Sequence, residues 1–230
     1  MKRVLPLALL SVLGLALLLA VPAFGQQSYV TRYDAYVGYS FLDSPHVSLF
    51  ENGVAGQFGV RVKKWLSLGF DYNLVSGDLT LVTRLLTNTL QQEVLATQPP
   101  GYTLVLPAHS RTQTFAFGPQ VSYRHFTHFT LFVRPLFLGG IHEVATPKPT
   151  DPFAMALVQM LAPSGKKTDT VVFVGFGGGV DLIATRHVSL RTQADLVYDH
   201  LFSDVLKDGR FTVRFSIGPA FNFGRNIVAK

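Results

Sequence analysis

The chain of 230 residues contains no cysteine. That excludes disulfides, thiolate metal sites and a lipid-modified N-terminal cysteine. Charge is also scarce. Only 15% of residues are charged, against about 25% in an average soluble domain, while 48% are hydrophobic. Such a deficit points to a surface that does not face water. The net charge is +6, and Lys2 and Arg3 supply two of the cations. The others are scattered without a basic run, so the clustered basic footprint of nucleic-acid binding is missing and no nucleic-acid partner is expected. Glutamate is rarer still, confined to Glu51, Glu93 and Glu143.

What is present begins with "MKRVLPLALLSVLGLALLLAVPAFGQ". Two cations precede an apolar core from Val4 to about Ala20, and Ala23-Phe24-Gly25 places small residues at −3 and −1. This is the pattern of a secretory signal cleaved before Gln26. The apolar run also nears the length of a spanning helix, but Pro22 and the small-residue site favour cleavage. The expected division is a signal peptide over 1–25 and one exported domain over 26–230.

Beyond the leader, hydrophobicity repeats every two residues, the period of a strand with two unlike faces. Eight runs carry it: Val30 to Phe41, Gly53 to Lys63, Leu66 to Leu74, Gln113 to Arg124, Phe129 to His142, Phe173 to Ile183, Val188 to Tyr198 and Phe211 to Phe223. In the last, Phe211, Val213, Phe215, Ile217, Phe221 and Phe223 alternate with Thr212, Arg214, Ser216, Gly218 and Asn222. Tight connections at Lys63 to Trp65, His125 to His128 and Ala184 to His187 alternate with longer ones at Leu42 to Asn52, Gly77 to Thr112, Glu143 to Asp169 and Asp199 to Arg210. This is the pattern of an antiparallel transmembrane up-and-down β-barrel of eight strands, with short periplasmic turns and long extracellular loops.

Periodicity does not say which face points outward, and a lipocalin-like soluble barrel would invert the assignment. The polar face decides. It carries small residues and lone Asp or Arg groups, whereas a solvated strand surface would carry Lys and Glu. Those groups suit a narrow filled lumen, and the apolar face suits lipid. Aromatics near the run ends (Tyr39, Phe41, Trp65, Tyr123, Phe126, Phe129, Tyr198, Phe211 and Phe223) suit interfacial girdles.

The stretch "GFGGGVDLIATRHVSLRTQADLVY", followed by "GRFTVRFSIGPAFNFG", resembles the small outer-membrane β-barrel proteins of the OmpA-like superfamily. The likeness covers nearly the whole mature chain, mostly as architecture, and leaves no room for an appended peptidoglycan-binding domain. It implies residence in the outer membrane of a Gram-negative cell envelope. Ser216, Gly218, Phe221 and Phe223 fit the polar-x-Gly-x-x-aromatic-x-aromatic signal that such barrels present to the outer-membrane assembly machinery. An exposed strand edge can pair with a partner strand before closure. The family's signal usually ends the chain, whereas seven residues follow Phe223 here.

Motifs for chemistry are thin. Gly175-Phe176-Gly177-Gly178-Gly179 lacks the lysine and following helix of a phosphate loop; glycines on a lumen face instead make room for larger neighbours. His46-Val47-Ser48, His187-Val188-Ser189 and Asp199-His200 have no third catalytic member, and His125 and His128 offer too few ligands for a metal. No catalytic, cofactor or metal residue is assigned, and the chain is read as no enzyme. The strongest candidates are the charges of the polar face: Asp34, Arg61, Asp71, Arg134, Asp181, Arg191, Asp195 and Arg214. Four of each sign can neutralise one another, and pairing is expected because an unpaired charge in a narrow lumen is costly.

Two long connections have helical spacing. "TLVTRLLTNTLQQEVLATQ" aligns Leu81, Val82, Leu85, Leu86 and Leu90 ahead of Pro99-Pro100. "DPFAMALVQMLAPSG" has Asp151 as N-cap, Pro152 at the first position, and a stripe of Phe153, Leu157 and Leu161. Their apolar faces need cover from each other, the outer leaflet, a ligand or a partner. The expected role is structural or loop-mediated interaction with a plugged lumen; the alternatives are a porin-like narrow pore, a binder of a small apolar ligand and, further off, a lipid-modifying enzyme.

Overall fold

The computed structural model describes residues 27–228. The leader expected over 1–25 lies outside the described residues. Eight strands close in sequence order into one antiparallel barrel: β1 (Thr31–Ser44), β2 (Leu49–Lys63), β3 (Leu66–Val82), β4 (Val105–Tyr123), β5 (Phe129–Pro147), β6 (Lys167–Ile183), β7 (Val188–Asp199) and β8 (Arg210–Asn226). Closure between β1 and β8 brings Tyr33 opposite Phe223 and Phe41 opposite Phe215, so the first and last strands satisfy each other's backbone groups.

The period-two pattern sorts the side chains as the pleat requires. Val37, Val54, Phe70, Phe117, Phe176 and Phe211 stand exposed on the outer wall, while Tyr36, Arg61, Asp71, Thr114, Arg191 and Arg214 are buried within. Exposed apolar area costs about 25 cal/mol per Å² in water, so this exterior is suited to hydrocarbon. Trp65, Tyr123 and Phe223 are exposed near the end with short turns, as girdle residues should be. Phe129 is not: it is buried and stacked against Phe126 with 4.2 Å between ring centroids.

Several strands run further than the sequence pattern indicates. β1 and β2 continue to Ser44 and from Leu49, reducing the expected long connection at Leu42 to Asn52 to residues 45–48. A 3₁₀ turn, Pro45–Val47, fills it, and Ser48 takes a left-handed φ of 52°. The extension follows from burial, since Leu42 and Leu49 belong to an apolar core beneath the loops. β3 likewise runs on to Val82, paired with Val105. Leu81 and Val82, read as helical above, are strand because ladder pairing with β4 satisfies their backbone and alternation still holds.

The first helix is shorter than its apolar spacing implies, α1 (Asn88–Thr97) between β3 and β4, whereas α2 (Pro152–Leu161) between β5 and β6 spans the expected Pro152 to Leu161. Asp151 caps α2, accepting the Ala154 amide at 2.9 Å, and its other oxygen accepts the Tyr102 hydroxyl at 2.8 Å. Leu85, Val94, Leu157, Val158, Leu201 and Phe202 bury their side chains together with Leu42 and Phe173. The loops thus close over one end of the barrel.

Candidate functional site

An eight-stranded barrel has an interior just wide enough for side chains to fill. Here they form three charged tiers. In the tier nearest the short turns, Arg191 grips Asp181 with two contacts, Nε to Oδ1 at 2.7 Å and Nη2 to Oδ2 at 3.0 Å. Asp181 and Arg191 lie directly opposite on β6 and β7. Arg191 Nη2 also reaches Asp34 at 3.2 Å, and Arg61 meets Asp34 at 3.3 Å. Arg61 donates further to Asn222 Oδ1 at 2.7 Å. The Arg191 guanidinium lies 5.7 Å from the Tyr36 ring and 5.0 Å from Phe132.

The middle tier is a closed square of two arginines and two aspartates. Arg134 binds Asp195 at 3.0 and 2.6 Å and Asp71 at 3.1 Å. Arg214 binds Asp195 Oδ2 through Nε at 3.0 Å and Nη2 at 2.8 Å. It also lies 2.9 Å from Asp71 Oδ1, an ion-pair contact outside hydrogen-bond geometry. Gln57 ties the two tiers together: its amide donates to Asp71 at 2.7 Å, and its carbonyl accepts Arg191 Nη1 at 2.9 Å.

The structure therefore brings Asp34, Arg61, Asp181 and Arg191 into one tier and Asp71, Arg134, Asp195 and Arg214 into the next, with all eight buried. Removing one member of a buried pair typically costs 3–5 kcal/mol, roughly, because the partner is left charged and desolvated.

The third tier lies towards the long loops. Arg210 bonds Glu143 and, at 2.9 Å, Asp199, while Ser110 donates to Glu143 at 3.0 Å. Glu51 is buried there too, with no hydrogen-bond partner for either carboxylate oxygen among the described residues. The placement of Glu51 and Glu143 in the long connections Leu42 to Asn52 and Glu143 to Asp169 is corrected: both sit inside strands and face the lumen. Above them an apolar cavity of about 80 Å³ is lined by Leu81, Leu85, Val158, Leu161 and Phe202, with Glu143 and Arg210 at its edge.

Glycines make the packing possible. Gly59 lies opposite Asp34, where a Cβ would stand 2.6 Å from Oδ1. Of the terminal motif, Ser216 is buried in the lumen, whereas Phe221 and Phe223 are exposed outside. Phe223 stacks on Tyr33 with centroids 5.7 Å apart. β8 continues past the motif to Asn226.

No protein-family model matches the sequence, and no curated protein matches it. Solved structures share the fold. The outer membrane protein OprG from Pseudomonas aeruginosa aligns at TM-score 0.52 and 9% identity, over 87% of this chain and 99% of that one. Neisserial surface protein A aligns at TM-score 0.46 and 12% identity, covering 86% and 99%. Ail, the attachment invasion locus protein of Yersinia pestis, in complex with the heparin analogue sucrose octasulfate, aligns at 0.48 and 12%, covering 84% and 99%. At such identities the likeness is one of fold, and that fold is the small eight-stranded outer-membrane barrel.

Proposed function

We propose that the chain is an integral outer-membrane barrel with a plugged lumen, acting through its structure or its loops. The carrying observation is the pairing of an apolar exterior with an interior whose arginines and aspartates neutralise one another. In this reading the leader is removed before Gln26, the final strand engages the assembly machinery, the short turns face the periplasm and the helix-bearing loops face outward. Outer-membrane fractionation, with mass determination of the mature chain, tests both localisation and cleavage. A cytoplasmic or soluble periplasmic protein would overturn the reading.

The apolar cavity beneath α2 favours a second role, binding of a small apolar ligand at the loop end. An apolar cavity of roughly 150 Å³, larger than this one, stays dry in another protein and takes up benzene or xenon. Benzene binding by the refolded protein, abolished when Val158→Phe fills the space, would support it; equal uptake by both would not.

A further inference from the structure

The charged tiers do not balance from end to end. The middle tier sets two arginines against two aspartates. The loop-end tier holds three carboxylates, Glu51, Glu143 and Asp199, and one arginine, Arg210. At the turn end the excess is positive. Asp34 and Asp181 are both engaged by Arg61 or Arg191, and two more arginines stand beside them.

Arg124 is one of these. It lies in the connection between β4 and β5, and its Nε donates to the Lys64 carbonyl at 2.9 Å. Its Nη1 donates to Gln27 Oε1 at 3.3 Å and to Thr130 Oγ1 at 3.2 Å. These neutral acceptors fix the guanidinium without cancelling its charge, and among the described residues no carboxylate forms an ion pair with it. Burial and the neighbouring Arg61 pull its pKa down to about 10 against the weaker opposing pull of Asp181 and Asp34, so it remains charged near neutrality.

Arg186 is the other. It sits at the rim, 5.7 Å from the Tyr29 ring, and Tyr29 is set edge-on to His187. A cavity of about 210 Å³ opens there, lined by Arg61, Arg124, Arg186, Ser189, Asn222 and Asp181, the last of these a carboxylate already held by Arg191.

We propose that this turn-end mouth is a binding site for a phosphate group, held by Arg124 and Arg186 and bordered by Thr130, Ser189 and Asn222. Two guanidinium groups without an ion pair of their own among the described residues match the roughly −1.5 to −2 charge of a phosphate near pH 7 better than the single charge of a carboxylate, and arginine's fork of donors suits phosphate oxygens. That the mouth opens to the periplasm rests on the orientation proposed above; the site itself does not.

The test uses the mature chain refolded in detergent micelles and titrated with inorganic phosphate at constant ionic strength. Trp65, the single tryptophan, follows Lys64, whose carbonyl Arg124 holds, so its fluorescence reports the site. A saturable change is expected, weakened about tenfold or more in Arg124→Gln and in Arg186→Gln, with acetate binding far more weakly. Arg186 is exposed, so its variant tests the site even if Arg124→Gln does not fold. Glycerol 1-phosphate binding as tightly as inorganic phosphate would assign a headgroup source, and inorganic phosphate alone would assign the free ion. No saturable change, equal binding by the wild type and Arg186→Gln, or acetate binding as tightly as phosphate would overturn the proposal.

Discussion

Gly177 and Asp195 face each other across β6 and β7, and a Cβ built on Gly177 would lie 1.8 Å from Asp195 Oδ1. The glycine is therefore a condition for the ionic square, because Asp195 is the carboxylate to which both Arg134 and Arg214 donate two hydrogen bonds.

Gly177→Ala should displace Asp195 and destabilise the barrel by roughly 3–5 kcal/mol, the cost of breaking a buried pair. Gly56, outside the lumen, has its nearest neighbour 3.8 Å from a built Cβ, so Gly56→Ala should be close to neutral. Urea unfolding of both variants in lipid vesicles checks the contrast. Equal stability of the two would count against the packing argument.

The outward face should reject charge. Phe215→Arg should cost about 2–4 kcal/mol near mid-bilayer depth, read from the same unfolding curves. A Phe215→Arg variant that folds into vesicles with unchanged stability would contradict the assignment of the faces.

Phe223 contributes an aromatic to the proposed assembly signal and stacks on Tyr33. Phe223→Ala should lower the protease-resistant, folded fraction in the outer membrane of producing cells. Normal folded levels would count against the signal.

The α2 cap should respond to acid. The Ala154 amide, aided by the Tyr102 hydroxyl, holds the Asp151 carboxyl below its ordinary value of 3.8. A carboxyl depressed in the folded state stabilises the cap above its unfolded pKa, and the contribution fades as pH falls through the folded one. Amide exchange at Ala154, corrected for intrinsic rate, should therefore lose protection only below about pH 4. Protection that disappears already at neutral pH would contradict this.

The period-two runs made the barrel legible, along with the eight lumen charges, because each of those residues shares parity with small or polar neighbours on its strand. Glu51 was legible by the same rule: stepping by two from Arg61 reaches it. The Pro, His, Ser and Asn content of the intervening connection obscured it by imitating a long loop. Asp199 and Arg210 follow likewise from Asp195 and Arg214. Glu143 does not. Arg134 and Glu143 occupy opposite parities of β5, yet both face inward, because register shifts against β4 and β6 separate them. A bulge of one residue reverses the faces and leaves no alternation signal. Partner choice was equally hidden. Arg134 meets Asp195, 61 positions away, and such a contact is set by closure of the barrel instead of local pattern.

The central claim, a lumen closed by its own ion pairs, is tested most directly by planar-bilayer recordings of the refolded protein beside Arg191→Ala. Arg191 joins Asp34, Asp181 and, through Gln57, the middle tier, so its loss strips two buried carboxylates of a counter-ion. The unmodified barrel should show no sugar permeation and at most small, rare conductance, and the variant should leak or unfold more easily. A large, steady open channel in the unmodified protein would contradict the plugged lumen.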